Sequence, residues 1–503
     1  MAKFKTYDYR QRVLLPVSLE DQLMPGTLEF AIHTLVEKRL DMSIFEGKYC
    51  NDETGRAAYD PKILLKVVLL AYSRGLISSR KIEQACRENV VFMALTCGQQ
   101  PDHSTIAAFV SSMKDEILPL FRDVLLVCEE MNLLGGTMFA LDGCKLPSNA
   151  SKEWSGTLSE LRKKKEKIEA KVAQLLAEQM QTDRRQDEPP GSRAAGTSRQ
   201  QLVEKLQKKA ELIEKWLVEN QPKLGAAGRE KQSNITDNDS ATMMTSHGIV
   251  QGYNSQALID GKHQVIVHGE AFGNGQDHIH VPPMLTGALT NLHRMGHGPD
   301  YFKGKILTAD SNYHTQVNLQ KCQELKLDAY IPDRKFRSRD PRFDTQKRRR
   351  SKRFTLKDFF YDETLDRYSC PDGKVLTLRV KRCVDHGNVY RKYVAAEKDC
   401  RGCPLRARCL YGTDAKRKHL AVPIGTDGIN LSKQMVEKIE TEPGRRIYPQ
   451  RLGIVEPVFA NIRSNKRLDR FTLRGKIKVN IQWLLYCLVH NIEKVLNYGL
   501  VYA

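Results

Sequence analysis

The sequence predicts a mixed α/β core preceded by an all-helical region and interrupted twice, by a helical hairpin and by a cysteine-containing insertion. Three observations carry that prediction. Residues 15 to about 135 hold short apolar stripes at helical spacing. From Phe139 onward short β-rich runs alternate with amphipathic stretches. Two long segments then break the alternation with compositions of their own. The boundaries that follow are a helical region at 1–135 and a core at 136–157 and 231–335. A hairpin fills 158–230, a basic cysteine-containing insertion 336–440, and closing helices 441–503.

In the helical region, "YDPKILLKVVLLAYSRG" places Ile63, Leu64, Val67, Val68 and Ala71 on one stripe that stops at Gly75. A second helix is expected after a serine cap at Ser78 or Ser79, and a third capped near Asp102 or Ser104. Short helices with tight polar connections over 61–112 suit a helix-turn-helix-like module, a pattern shared with helical bundles that bind no DNA.

In the core, "TMFALD", "GYNSQALID", "HQVIVHGEAF" and "KILTAD" read as strands, while "HVPPMLTGALTNLHRM" and "TQVNLQKCQELK" read as helices. Asp142 and Asp310 each fall at the C-terminal end of a predicted strand, where open α/β sheets place their ligands. Between them, Leu158, Leu161, Ile168, Val172, Leu175 and Met180 recur at near-heptad spacing. A second run from Leu202 to Leu217 follows "DEPPGSRAAGTS", which predicts an antiparallel helical hairpin.

Charge gives the first indication of a partner. Eighty Lys and Arg against sixty Asp and Glu leave a net +20, concentrated at 333–354 and 463–478. Two such runs point to a polyanion such as double-stranded DNA, since each neutralised phosphate releases counterions. Lys347, Arg348, Arg349 and Arg350 are expected to add phosphate contacts that ignore base sequence. No apolar signal segment opens the chain and no apolar run approaches a bilayer span, so the expectation is a cytosolic protein with no membrane partner.

Twelve cysteines in a chain without an export signal argue against a disulfide framework. Five crowd between 370 and 409. Cys370, Cys400, Cys403 and Cys409 can satisfy a tetrahedral structural Zn²⁺. Cys383 offers a fifth thiol, which leaves the ligand set open, and a reduced insertion packed by its own apolar residues is the alternative.

The candidate chemistry rests on three acids from separate segments, Asp142 in "LDGCKLPSNAS", Asp310 in "ILTADSNYHT" and Glu456 in "YPQRLGIVEPVFANIR". Three such carboxylates can hold two Mg²⁺ or Mn²⁺ ions and so support phosphodiester chemistry. Asp237 and Asp239 read as turn-formers, Asp277 as a helix cap, and Tyr253 and Asn254 as strand supports. His278 and His280 have the look of a metal pair, but alternate spacing on a loop is weak support.

Taken in order, these blocks resemble the DDE transposases of bacterial insertion sequences, in the branch with an InsH-like N-terminal domain. "YDPKILLKVVLLAYSRGLISSRKIEQACRENVVFMALT" and "DHSTIAAF" look like that N-terminal domain. "LDGCKLPSNAS", "NITDNDSATM", "GYNSQALID", "ILTADSNYHT" and "VEPVFANIR" look like successive blocks of its catalytic domain. The resemblance implies a ribonuclease H-like core and a three-acid site on Asp142, Asp310 and Glu456. It also implies a tyrosine–arginine–glutamate–basic signature, which falls on Tyr448, Arg451, Glu456 and Arg463. Glu456 and Arg463 stand two helical turns apart on one face of a helix that starts near Pro449 and kinks near Pro457. The function implied is end cleavage and strand transfer on DNA by a homo-oligomer in the bacterial nucleoid. A metal-dependent nuclease and a catalytically lapsed DNA-binding protein are the competing readings.

Overall fold

The computed structural model describes residues 18–49, 57–184, 192–225, 228–246, 248–340, 354–385, 388–410, 414–423 and 431–499. The basic tract holding Lys347, Arg348, Arg349 and Arg350 lies outside the described residues.

Among the described residues six α-helices come first: α1 (Leu28–Lys38), α2 (Pro61–Ser73), α3 (Ser79–Glu88), α4 (Val90–Leu95), α5 (His103–Ser112) and α6 (Ile117–Glu130). Their starts follow local chemistry. The Thr27 hydroxyl accepts from Phe30 N–H, and Asp60 accepts from Lys62 N–H with Pro61 opening α2. Asp102 accepts from the amides of Ser104 and Thr105 at α5. Ser78 stands at the cap position of α3 but makes no capping bond.

Two strands and a hairpin come next: β1 (Met138–Pro147), β2 (Ser155–Gly156), α7 (Leu158–Arg184) and α8 (Ser192–Glu219). Leu161, Ile213 and Trp216 bury the base of the hairpin, and β2 pairs with β3 (Ser233–Asn234) beneath it. The core resumes with β4 (Ala241–Thr245), β5 (Gly248–Asp260), β6 (Ile266–Phe272), α9 (Val281–Arg294), β7 (Ile306–Ala309), α10 (Gln316–Glu324), β8 (Asp328–Tyr330) and α11 (Phe336–Arg339). The sheet runs β4-β5-β1-β7-β8, with β6 also on β5. β1 is antiparallel to β5 and parallel to β7, and β7 is parallel to β8. The sheet is therefore mixed, as the sequence predicts.

An insertion of a different kind follows. β9 (Phe360–Asp362), β10 (Arg367–Ser369), β11 (Val375–Asp385), β12 (Asn388–Ala395) and β13 (His419–Pro423) form an antiparallel sheet in the order β13-β12-β11-β10-β9. Two short helices, α12 (Glu397–Arg401) and α13 (Arg406–Cys409), cross between β12 and β13. The chain closes with α14 (Leu431–Glu440), α15 (Glu442–Ile447), α16 (Gln450–Ala460), a π-helical turn at Asn461–Asn465, and α17 (Lys476–Tyr498). Pro449 caps α16 and Pro457 lies inside it.

α17 packs against α1, α2, α5, α6 and β6, so the helical region and the sheet share one hydrophobic core. Tyr486 stacks on Tyr72 at 4.8 Å. Trp483 is fully buried and donates its indole N–H to the Gln256 carbonyl at 3.1 Å. Burying an indole is favourable only when its N–H finds a partner, so this one bond fixes α17 across β5.

Candidate functional site

The pairing of β1 with β7 sets Leu141 level with Ala309. The next residue on each strand is an aspartate, so Asp142 and Asp310 stand side by side. The strands differ in how they continue. β7 stops at Ala309, and Asp310 turns to cap the following 3-10 turn, accepting from Asn312 N–H at 2.8 Å. β1 runs on along β5 to Pro147, which corrects the expectation that Asp142 ends its strand.

Arg451, on the first turn of α16, reaches Asp142 with an N···O distance of 2.6 Å. The arginine side chain is 10% exposed and the aspartate 25%. Gly143 N–H donates to the other Asp142 oxygen at 2.8 Å. Gly143 is also required for space: a Cβ there would meet Gln256 Nε2 at 2.0 Å. Burial raises Asp142 above the ordinary carboxylate range against the opposing pull of Arg451, and nearby Asp277 adds a further push. Burial also raises Asp310, with the Asn312 amide pulling back and Asp142 pushing up. Two crowded, partly desolvated carboxylates offering hard oxygen donors are a combination that a cation such as Mg²⁺ relieves, so these residues fit the ion.

Two family models match the chain. A "transposase DDE domain" covers residues 369–496 and a "transposase domain (DUF772)" covers 17–112. The first spans α16 with Arg451 and Glu456, and the second spans α1 to α5. Both matches are to transposase families, and together they support a DDE transposase of an insertion sequence. Both matches leave out Asp142 and Asp310, which only the fold brings to Arg451. No curated protein matches the chain.

The other candidate site residues divide by position. Tyr448 packs edge-on against Phe336 at 5.3 Å. Burial raises its phenol, with Arg451 pulling it down and Asp310 pushing it up, so it borders the same pair of acids. Arg463 is exposed on the π-helical turn, and its charge reaches Cys144, two residues along β1 from Asp142. Glu456 is exposed on α16, while Arg451, Ile454, Val455 and Val458 form the buried side of that helix. Among the described residues no three His, Cys, Asp or Glu side chains converge closely enough to hold an ion in this conformation.

Asp277 is the acid whose role the sequence reading missed. Its carboxylate caps no helix. It accepts from Asn254 Nδ2 at 2.6 Å and Gln256 Nε2 at 3.2 Å, and Asn312 Nδ2 lies 3.5 Å from it and 3.3 Å from Asp310. Asn254 thus positions an acid rather than merely supporting its strand. The available signal was polar residues at 254 and 256 inside a run that the fold buries completely. Beside Asp277 a cleft of about 890 Å³ opens past Asp310, with Lys145 and Arg334 on its walls.

Other expectations find structural explanations. Tyr253 donates its hydroxyl to buried Asp237 at 2.8 Å, and Asp239 accepts from Lys476 N–H at the start of α17. His280 stacks on Phe272 at 4.1 Å, whereas His278 lines the cleft. The basic run at 463–478 is partly consumed by the fold. Lys466 is fully buried against Glu493 at 2.5 Å. Arg470 and Arg474 donate to the carbonyls of Ser148 and Asn149. Among the described residues no helix is long and apolar enough to cross a membrane.

Proposed function

We propose that this transposase cleaves double-stranded DNA at the ends of its element and joins the freed 3′ hydroxyls to target DNA, using Asp142, Asp310 and Glu456 as the carboxylates of one divalent-metal site. The observation that carries this reading is the juxtaposition of Asp142 and Asp310 across β1 and β7, with Arg451 against the first of them. Two Mg²⁺ or Mn²⁺ ions held there would stabilise the attacking and leaving oxygens of an in-line phosphoryl displacement.

The residues around the pair have work of their own. Arg451 holds the Asp142 carboxylate in one orientation and offsets the like charge of Asp310. Asn312 lies between Asp310 and Asp277 and offers its amide hydrogens to both. Lys145 and Arg334 put two basic side chains on the wall of the neighbouring cleft, beside Asp277 and Asp333, where they can meet phosphates. Tyr448, just ahead of α16, and Arg463, on the π-helical turn after it, are assigned to holding phosphates next to the scissile one. The helices at 61–112 are assigned to end recognition, and Lys347, Arg348, Arg349 and Arg350 to contacts that ignore sequence. Joining two ends in one event calls for at least two protomers if each end is held by one, and the reaction belongs in the bacterial nucleoid.

Asp142→Asn, Asp310→Asn and Glu456→Gln remove charge while keeping size. Each is expected to bind a labelled terminal fragment as wild type does and to cut it at least about a thousandfold more slowly, the equivalent of about 4 kcal/mol of lost transition-state stabilisation. Near wild-type cutting by a folded variant would remove that residue from the site. Wild type that cuts without joining would be a nuclease, and wild type that binds ends without cutting would be a lapsed transposase.

A further inference from the structure

The sheet of β9–β13 is a lobe with a very small core. Among the described residues its buried apolar side chains are Phe359, Tyr368, Leu376, Tyr393, Val394, Ala395, Leu410 and Leu420, and all but Val394 and Leu410 form a cluster separate from the main core. Eight buried apolar side chains are little to hold some seventy residues in one fold, and domains with cores this small usually depend on disulfides or a metal. The lobe contains no disulfide, since all of its cysteines are free thiols.

Four of those thiols gather in one place. Cys370, at the end of β10, Cys400 in α12, Cys403 just after it and Cys409 in α13 line a single cavity of about 20 Å³. That is room for roughly one small sphere. Cys383 is not among them; it pairs with Tyr390 far along the β11–β12 ribbon. The fold thus resolves the choice among five thiols that spacing alone leaves open.

The backbone around the cavity is arranged for sulfur. At the turn after β10, Gly373 N–H donates to Cys370 O at 2.8 Å with Gly373 at φ +72°, and Lys374 N–H points at Cys370 Sγ at 3.3 Å. The Leu405 amide likewise donates to Cys403. Two cations tie down the thiol-bearing segments. Arg406 donates to the Cys400 carbonyl at 2.8 Å, and Lys418 to the Cys409 carbonyl at 3.0 Å. Four thiolates on one Zn²⁺ leave two net negative charges, which Arg406 and Lys418 are placed to balance. As the thiols stand they are not drawn together, so binding requires them to turn inward.

We propose that Cys370, Cys400, Cys403 and Cys409 form a structural Zn²⁺ site that cross-links the β10–β11 turn to α12 and α13 and substitutes for the core the lobe lacks. The site is independent of the acids assigned to DNA chemistry: the lobe can lose its metal with Asp142 and Asp310 intact, and the reverse.

The test uses the full-length chain purified under reducing conditions, with bound metal counted by mass spectrometry. About one zinc per chain is expected. Cys403→Ser and Cys409→Ser should lose it, and Cys383→Ser should keep it. In case those losses only reflect misfolding, wild type stripped by a chelator and given Co²⁺ should show the visible absorption bands of tetrahedral thiolate coordination. The site is overturned by wild type that carries no zinc and gives no cobalt bands, or by a Cys383→Ser protein that loses metal as Cys403→Ser does.

Discussion

The main core and the β9–β13 lobe solve the same problem by different means. The main core runs without a break from the opening helices through the sheet to α17, and buries side chains as large as Trp483, Tyr486, Phe121 and Phe139. The lobe gathers a separate cluster of only six buried apolar residues and surrounds a small cavity with thiols. One is held by area removed from water, a continuous quantity that tolerates piecemeal loss. The other is assigned a single cross-link, which is either present or absent. The contrast also separates duties, because Asp142, Asp310 and Arg451 are mounted wholly on the main core.

Two substitutions should separate the regions most clearly. Trp483→Ala removes a fully buried indole and orphans the Gln256 carbonyl, and should destabilise the main unfolding transition by about 3–5 kcal/mol. Leu376→Ala, also at a fully buried site, should cost about 2–4 kcal/mol but only in the transition of the lobe. Scanning calorimetry on the full chain reads both. A single transition shifted equally by the two variants would mean that the regions unfold as one and the comparison fails.

A smaller effect comes with acid. Burial pushes His268 down to about 4 and His490 down to about 3, so both are neutral in the folded core. Their folded values lie below the unfolded one, so the unfolded chain binds more protons on acidification. The stability they contribute is complete above about pH 6.5 and is lost as pH falls toward the folded values. By pH 5 the cost is about 1–2 kcal/mol for each histidine. Denaturant titrations at pH 7 and 5 should show it, and His268→Gln should reduce the dependence. An unchanged slope in that variant would place the acid sensitivity elsewhere.

The same contrast explains what could be read before the fold was known. Asp142 and Asp310 were legible because each follows an apolar run that has to be a central strand. Their adjacency was not, since it depends on which strands pair, and neither was the bond from Arg451, which lies 309 residues along the chain from Asp142. Asp277 passed for a cap because caps are local, whereas its actual partners, Asn254 and Gln256, arrive through β5. The sheet of the lobe was passed over for a different reason. On β11 Leu376, Leu378 and Val380 do alternate with Thr377, Arg379 and Lys381, a strand signal that the reading overlooked beside the cysteines, although of the described side chains there only Leu376 is buried. The cysteine spacing survived because a metal site needs only donors. The basic run at 463–478 misled in part, because Lys466 is buried against Glu493 and the exposed Arg470 and Arg474 donate to backbone carbonyls of the protein itself.

The central claim is that Asp142 acts at the site as a hard oxygen donor, and one substitution tests it directly. Asp142→Cys exchanges oxygen for sulfur, which Mg²⁺ binds poorly and Mn²⁺ tolerates better. Cleavage of a labelled terminal fragment should be lost in Mg²⁺ and partly restored when Mn²⁺ replaces it, with no such recovery in Asp142→Ala. An Asp142→Cys protein that cuts in Mg²⁺ as fast as wild type would contradict the account, because no carboxylate would then be needed at that position.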